Sequence, residues 1–234
     1  MSNVFQIGMV VSCILVIAVI TVLMIVFSRK RNQADRALAE QIGFTHLNRP
    51  DPQLVEKVKS IYRISGTAKI SNVSMKTTPD ETVYLCNISY SDNHSDGGEV
   101  EYRSVCILNS RLNLPPFMMM YQFDQVYGPM GGLINGLLDK AIGMTGLQEV
   151  DFSHHPRFEA KYRVFTYQTE AVQQIFNDTL LENLSNTDNW LVRAEGDCIC
   201  FNTYEMRRGK EITGAQLSQH IRDALQFSYW IAES

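Results

Sequence analysis

Two cysteines one residue apart carry the most specific chemistry of the 234-residue sequence. Cys198 and Cys200 flank Ile199, and side chains two positions apart in a strand share one face, so both sulfur atoms would point the same way. Such a pair could supply two ligands to zinc or take part in redox chemistry. A zinc site needs about four ligands, however, and no second cysteine pair has a suitable spacing. The pattern therefore favours two small apolar side chains packed in a strand.

A second stretch with reactive side-chain types ends at Pro156. It contains Asp151, Ser153, His154 and His155. Because adjacent histidines in an extended segment point to opposite sides, we do not expect both to serve one site. No G-x-S-x-G motif surrounds Ser153, which argues against a serine nucleophile. The stretch therefore predicts a turn that Asp151 caps and Pro156 ends.

Other motifs exclude the common cofactor and nucleic-acid sites. Gly131-Gly132 lacks the spacing of a Walker A loop or a dinucleotide fingerprint, and Asp92–Gly98 lacks the spaced oxygen ligands of a calcium loop. With 21 basic against 25 acidic residues and a net charge of −4, the chain has no basic excess for nucleic acid. We therefore predict no catalytic residue, no cofactor and no nucleic-acid partner. The remaining metal-ligand candidates are Cys198, Cys200 and His155.

The domain that would position such residues follows a hydrophobic N-terminal segment. Residues 1–28 carry no charged side chain, and Ile7–Phe27 is almost entirely apolar. A helix of that length covers ~31 Å, close to the thickness of the hydrocarbon core of a bilayer. A secretory signal peptide would need a basic region before the apolar core, and a lipoprotein would turn polar after Cys13. We therefore predict a retained transmembrane anchor over residues 1–28, in contact with membrane lipid through residues 7–27.

Basic residues beside the predicted anchor give it a direction. Arg29, Lys30 and Arg31 follow the span directly, and no basic residue precedes it. The positive-inside rule then places the N-terminus outside and the C-terminal domain in the cytoplasm, with a single pass through the cell inner membrane. Five cysteines without a dense spacing pattern do not form a disulfide framework, which agrees with a cytoplasmic domain.

The residues after the anchor divide into juxtamembrane helices, 29–65, and a soluble domain, 66–234. The helices are predicted from Gln33–Ile42, which continues the anchor, and from Asp51-Pro52, an N-cap followed by proline at the first helical position. The glycine-rich segment 128–146 could subdivide the domain, and its apolar spacing predicts a short amphipathic helix.

Periodicity in the domain predicts a mixed, mainly antiparallel sheet with flanking helices. Alternating apolar residues predict one hairpin over residues 84–106 and a tighter one over Trp190–Tyr204. A helix is expected from about residue 170 to residue 184. Thr213 and Gln216 form a capping box before a terminal helix. This order of helices and strands is typical of an α+β fold.

The proline pair between the two hairpins predicts an interruption. Proline cannot donate a hydrogen bond to a central strand ladder, so Leu114-Pro115-Pro116-Phe117 should break regular structure. A further strand over Met118–Phe123 should follow the break.

One combination of motifs extends over the second half of the chain. It consists of Leu114-Pro115-x-Phe117, Asp151-Phe152-x-x-His155-Pro156-x-Phe158, Tyr162, Glu170, Val172 and Ile175-Phe176. In this combination the chain resembles a family of uncharacterised bacterial membrane-anchored proteins, over roughly residues 82–227. The chain departs from the family pattern at Glu159, where serine is expected, and in Met118-Met119-Met120. Because the family has no assigned activity, the resemblance implies an anchor followed by a soluble domain and no catalytic residue.

These features favour a membrane-anchored interaction or regulatory module, with a protein partner at the membrane, over an enzyme. The residues of the alternative, an enzyme or metal-binding protein, are Cys198, Cys200, His155 and Asp151. A further alternative is binding of a lipid or small apolar ligand. That function would need a deep apolar pocket near Met118–Met120 and the helix over Leu133–Ile142.

Overall fold

A large antiparallel sheet with helices on both faces forms the body of the protein. The computed structural model describes residues 2–63, 67–91, 100–207 and 212–234, with side chains from residue 15 onward apart from scattered positions. The strands are β1 (Thr45–His46), β2 (Thr67–Thr77), β3 (Glu81–Ser91), β4 (Val100–Asn109), β5 (Leu114–Tyr121), β6 (Gln148–Glu149), β7 (Tyr162–Thr166), β8 (Trp190–Gly196) and β9 (Cys198–Thr203). The helices are α1 (Ser2–Gln41), α2 (Pro52–Tyr62), α3 (Phe123–Tyr127), α4 (Gly131–Thr145), α5 (Pro156–Glu159), α6 (Thr169–Ile175), α7 (Asp178–Ser185) and α8 (Gly214–Ala232).

All nine strands belong to one sheet in the order β1-β2-β3-β4-β9-β8-β5-β7-β6, and every pairing is antiparallel. The prediction of an α+β fold with a mainly antiparallel sheet is confirmed. Both predicted hairpins are present as β3–β4 and β8–β9. Residues 92–99 of the first hairpin, which include Asp92–Gly98, lie outside the described residues. The second hairpin sits in the middle of the sheet, where β9 pairs with β4 and β8 pairs with β5.

The alternation of side chains divides the core into two faces. Val105 and Ile107 of β4 lie on the first face, where α6, α7 and α8 pack. Cys106 and Leu108 lie on the second face, which α2 covers. A smaller cluster around Met120, also on the second face, packs against Ile142 of α4. Both faces are therefore buried, which explains why the central strands are almost continuously apolar.

The predicted helix starts at Asp51 and Thr213 are confirmed. The Asp51 carboxylate accepts a hydrogen bond from the Gln53 backbone N–H at 2.9 Å and another from the Tyr84 hydroxyl at 2.6 Å, so the cap also fastens α2 to β3. Thr213 and Gln216 form the complete capping box of α8. Caps of this kind satisfy backbone N–H groups that have no partner within the helix.

The expected break at Pro115-Pro116 is wrong. β5 already begins at Leu114, and its register with β8 shifts between Leu114 and Phe117. A β-bulge at this point removes the need for ladder N–H groups that proline lacks. The Thr166 hydroxyl donates to the Pro116 carbonyl at 2.6 Å and secures the bulge against β7.

The helix expected over residues 170–184 is two helices. The backbone leaves the helical region at Phe176, which has φ −87° and ψ 63°. The Asn177 side chain then accepts a hydrogen bond from the Leu180 N–H at 2.9 Å and caps α7. Apolar spacing continues through this turn, so periodicity alone could not reveal that the asparagine restarts the helix.

The N-terminal helix α1 is continuous over 40 residues, and it includes the helix predicted beyond the anchor. Its described apolar side chains between Leu15 and Phe27 are exposed. A search of the described residues found no helix with the length and apolar character needed to cross a membrane. Residues 7–14 of the predicted span, with Cys13, lie outside the part whose side chains are described, and the anchor stays a prediction.

Candidate functional site

Four buried cysteines form a row across three adjacent strands on the second face of the sheet. They are Cys86 on β3, Cys106 on β4, and Cys198 and Cys200 on β9. Cys198 and Cys200 share one face of their strand, as their spacing predicts. The Sγ atoms of Cys106 and Cys200 are 3.5 Å apart, and those of Cys86 and Cys106 are 3.7 Å apart.

The arrangement of these sulfur atoms suits packing better than metal binding. The observed contacts link the sulfur atoms in pairs, from Cys86 to Cys106 and from Cys106 to Cys200, whereas zinc needs ligands that surround one point at about 2.3 Å. Hydrogen bonds from Cys106 and Cys198 lower the pKa of Cys200, and the bonds to Cys200 raise the pKa values of the other two thiols. The buried Leu54 and Val58 of α2 belong to the same cluster, so the thiols are closed off from the solvent that reactive cysteines need.

A different group of potential metal ligands converges beside α5 and α7. His154, His155 and Asp178 each offer one ligand atom, and these three atoms lie within 4.8 Å of one another. His155 Nε2 is 2.9 Å from Asp178 Oδ1, and the two imidazole rings meet edge to face with their centres 4.8 Å apart. The expectation that the adjacent histidines point to opposite sides is therefore wrong, because the chain forms a turn at residues 153–154 instead of an extended segment.

Local structure fixes His155 in this position. Its backbone carbonyl accepts hydrogen bonds from the N–H groups of Phe158 and Glu159 at the start of α5. Phe158 is completely buried and meets Phe152 edge to face. Before this turn, Asp151 Oδ1 accepts a hydrogen bond from the Ser153 N–H at 2.8 Å, which lowers the pKa of Asp151 and confirms its predicted capping role.

The other half of the cluster comes from the N-terminus of α7. Asp178 is the first residue of that helix, and its side chain is 89% exposed. The Arg157 guanidinium donates to Glu182 at 2.9 Å and to Asn186 at 3.3 Å, so it ties α5 to α7. Asp178 lies 23 positions after His155. Because two helices must pack before these residues meet, no spacing rule could have identified the aspartate.

The four residues of the enzymatic or metal-binding alternative do not come together. Cys198 and Cys200 lie on the second face under α2. Asp151 and His155 lie beside Phe152 and Phe158, which belong to the core of the first face. The sheet separates the two pairs.

A buried ion pair attaches α1 to the first face. Arg103 Nε of β4 lies 3.2 and 3.1 Å from the two carboxylate oxygens of Asp35, and the side chains are 9% and 13% exposed. One turn further, Ala39 is buried in the main core. Of the basic residues before this contact, Arg29 and Lys30 are exposed and Arg31 is half-buried.

A small cavity of about 30 Å³ lies beside this ion pair, with His220 of α8 in its wall. The imidazole is 2% exposed and packs against Phe201. Neither ring nitrogen makes a hydrogen bond within the described part of the chain. Burial lowers the pKa of His220 to about 3, although the Arg103 carbonyl nearby opposes the shift. His220 is therefore a neutral imidazole with unsatisfied polar atoms.

The side chains of Met118, Met119 and Met120 are buried and packed against neighbours in the part of the chain that the structure describes. Met118 and Met120 contact Ile142, Phe165 and Leu191 in one cluster. Among the described residues, the cavity beside Met118 has a volume of about 20 Å³, little more than one water molecule occupies. Leu133 of α4 is 68% exposed and lies outside the cluster.

The fold and these sites define an α+β protein with one antiparallel sheet and a long N-terminal helix. No family model matches the chain, and the search of curated proteins found no match. Among solved structures, the mycobacterial trehalose monomycolate transport factor A, TtfA, is similar with a TM-score of 0.51 at 9% sequence identity. The match covers 86% of this chain and 93% of that chain. At this identity the likeness shows a shared fold.

Proposed function

We propose that the protein is a membrane-anchored interaction module that presents a rigidly oriented domain to a protein partner at the inner membrane. The observation that carries the proposal is the exposure of the apolar side chains on one stretch of α1. They are Leu15, Val16, Ile17, Val19, Ile20, Val22, Leu23, Met24, Val26 and Phe27. A helix that is apolar all round needs an apolar environment, and a bilayer would supply it.

The connection between this stretch and the domain supports a fixed orientation. α1 continues without a break from Phe27 to Gln41, a distance of about 21 Å along the helix axis. Its last turns are attached to the sheet by Asp35–Arg103 and by Arg36, whose Nε donates to Asn72 Oδ1 at 3.0 Å. The helix therefore sets the distance and the orientation of the domain relative to the bilayer. Arg29, Lys30 and Arg31 lie where the positive-inside rule places the cytoplasmic boundary.

Membrane association should depend on the apolar stretch. The full chain is expected to float with phospholipid vesicles and to stay with membranes after carbonate extraction. The double variant Val19→Lys/Val22→Lys should lose both properties, since each central charge costs about 2.5–3.5 kcal/mol on insertion. Gln33→Lys, on the same helix beyond the stretch, is the matched control and should behave as the parent.

Release of the parent chain by carbonate would contradict the anchor. The direction of insertion is checked separately by a reporter fused after Ser234, with the expected result that only a cytoplasm-active reporter works. Activity of a periplasm-only reporter at that position would reverse the proposed orientation and leave the anchor itself intact.

Metal binding is a second candidate function, favoured by the convergence of His154, His155 and Asp178. Two imidazoles and a carboxylate are common ligands of catalytic and transport zinc sites, where three protein ligands leave a position open. His155 Nε2 and Asp178 Oδ1 are already 2.9 Å apart, so only the more widely separated ligand atoms, which lie up to 4.8 Å apart, need to approach to reach Zn–N and Zn–O distances of about 2.0–2.2 Å. His154 and Asp178 are exposed and can make this adjustment.

Zinc titration of the full chain tests this candidate. We expect a single zinc ion to bind, and His155→Ala and Asp178→Asn each to weaken binding about tenfold or more, because a ligand is lost in each case. His46→Ala, which removes a half-buried histidine on β1, is the control and should leave the affinity unchanged. Equal affinity in the parent and Asp178→Asn would show that the contact between His155 and Asp178 is only a hydrogen bond.

A further inference from the structure

A wide groove on the first face of the sheet lies outside all the sites described above. It runs between the C-terminal end of α7 and the second half of α8, and its volume is about 470 Å³, within the range of small-molecule sites. Two tryptophans and six polar side chains line it. The combination of stacked aromatic rings and uncharged hydrogen-bonding groups points to a particular ligand chemistry.

The aromatic part of the groove is a stacked pair of indoles. Trp190 and Trp230 have ring centres 5.9 Å apart and an interplanar angle of 26°. Trp190 is buried and held edge to face by Phe201, whereas Trp230 is half-buried. Trp190 is therefore fixed in the core, and Trp230 keeps part of its ring accessible to a ligand. Such a surface stacks on flat apolar faces, including the C–H face of a sugar ring.

The polar part of the groove has groups free for a ligand. The side-chain amides of Asn183 and Gln226 make no hydrogen bond to any residue that the structure describes, and both line the groove. Each amide offers two donors and an acceptor in one plane. Adjacent hydroxyl groups, which both donate and accept, are the natural partners of such amides.

The charges in the groove argue for a neutral ligand. Asp188 is paired with Lys161, whose Nζ lies 2.6 Å away. Asp223 accepts a hydrogen bond from Gln219 at 2.7 Å. Burial raises the pKa of Asp223, and the nearby Arg222 charge opposes this shift. With Asp188 neutralised by Lys161 and Asp223 beside Arg222, the two carboxylates do not form an unpaired negative cage of the kind that holds a quaternary ammonium group.

We propose that this groove binds a neutral saccharide, with one sugar ring stacked on Trp230, which Trp190 supports from behind, and its hydroxyl groups bonded to Asn183 and Gln226. The proposal is independent of the membrane anchor and of the histidine cluster, since none of their residues line the groove.

The test uses the only two tryptophans of the chain as built-in reporters. The full chain is kept in a polyoxyethylene detergent, because a glycoside detergent would compete. Methyl α-glucoside, methyl β-galactoside, N-acetylglucosamine and maltose are titrated while tryptophan emission and saturation-transfer NMR are recorded. We expect a saturable emission change and saturation transfer with at least one of these sugars.

Variants locate the binding. Asn183→Ala and Gln226→Ala should each weaken binding about fivefold, the effect of one hydrogen bond, with an unchanged unfolding midpoint. Trp230→Ala should abolish detectable binding. Gln53→Ala, which removes an exposed amide on α2, should bind as the parent does.

Three outcomes would overturn the proposal. The first is the absence of saturable binding for all four sugars. The second is saturation by tetramethylammonium chloride without any response to sugars, which would make the groove a cation site. The third is equal sugar affinity in the parent, Asn183→Ala and Gln226→Ala, which would place the sugar elsewhere.

Discussion

Replacing His220 with leucine is expected to reduce, by about 3 kcal/mol, the free energy of unfolding that the protein loses when the pH falls to 4. The pKa of the buried imidazole is lowered to about 3 in the folded chain, whereas an imidazole in the unfolded chain has a pKa of about 6.5. Below pH 6.5 the unfolded state therefore binds a proton that the folded state cannot. The free energy of unfolding should fall by about 1.4 kcal/mol per pH unit from this one group as the pH drops from 6.5 toward 3.

Urea unfolding at a series of pH values gives the free energy of unfolding as a function of pH. The contribution of His220 is the difference in the slope of that curve between the parent and His220→Leu. Above pH 7 the two proteins should differ by less than about 2 kcal/mol, because leucine removes two unsatisfied nitrogen atoms but also the contact with Phe201. His46→Asn is the comparison, since burial and the nearby Arg36 charge also lower the pKa of that half-buried imidazole, and its loss should change the slope in the same direction but by less. Parallel pH profiles for the parent and His220→Leu would show that His220 gains a proton without unfolding.

Elements with strong local signals were predictable from the sequence. The cap at Asp51 and the box at Thr213 and Gln216 satisfy backbone groups within one turn, so residue type and spacing suffice to identify them. The hairpins follow from alternation and a glycine turn, and Gly196 has the positive φ of 61° that such a turn requires. Pro115-Pro116 misled the prediction because a bulge depends on the partner strand, which lies more than 70 positions away at Ala194.

Sites that depend on packing between distant elements could not be predicted. The turn that brings His154 and His155 together is local, but Asp178 joins them only because α7 packs against α5. The cysteine row likewise needs the pairing of β4 with β9, which aligns Cys106 with Cys200. Residue types and their spacing identify the side chains that could take part in chemistry. Which of these side chains come into contact depends on the order of the strands in the sheet.

Removing the carboxylate of Asp35 should lower the free energy of unfolding by about 3–5 kcal/mol. Asp35 and Arg103 are almost buried between α1 and β4, so Asp35→Ala leaves the guanidinium in a low-dielectric environment without the carboxylate that compensates it. Urea unfolding of the detergent-solubilised full chain measures the loss. Hydrogen exchange should also show faster exchange in the last turns of α1, because this pair attaches the helix to the sheet.

A second Asp–Arg pair in the same chain provides the matched control. Asp80 and Arg111 make an ion pair whose side chains are 57% and 68% exposed, and solvent screens exposed pairs so well that they contribute less than about 1 kcal/mol. Asp80→Ala should therefore leave both the unfolding curve and α1 unchanged. If the two aspartate variants lost equal stability, burial would not be what gives the Asp35–Arg103 pair its strength. The rigid coupling of α1 to the domain would then have to rest on the Arg36–Asn72 hydrogen bond and on the packing of Ala39 and its apolar neighbours.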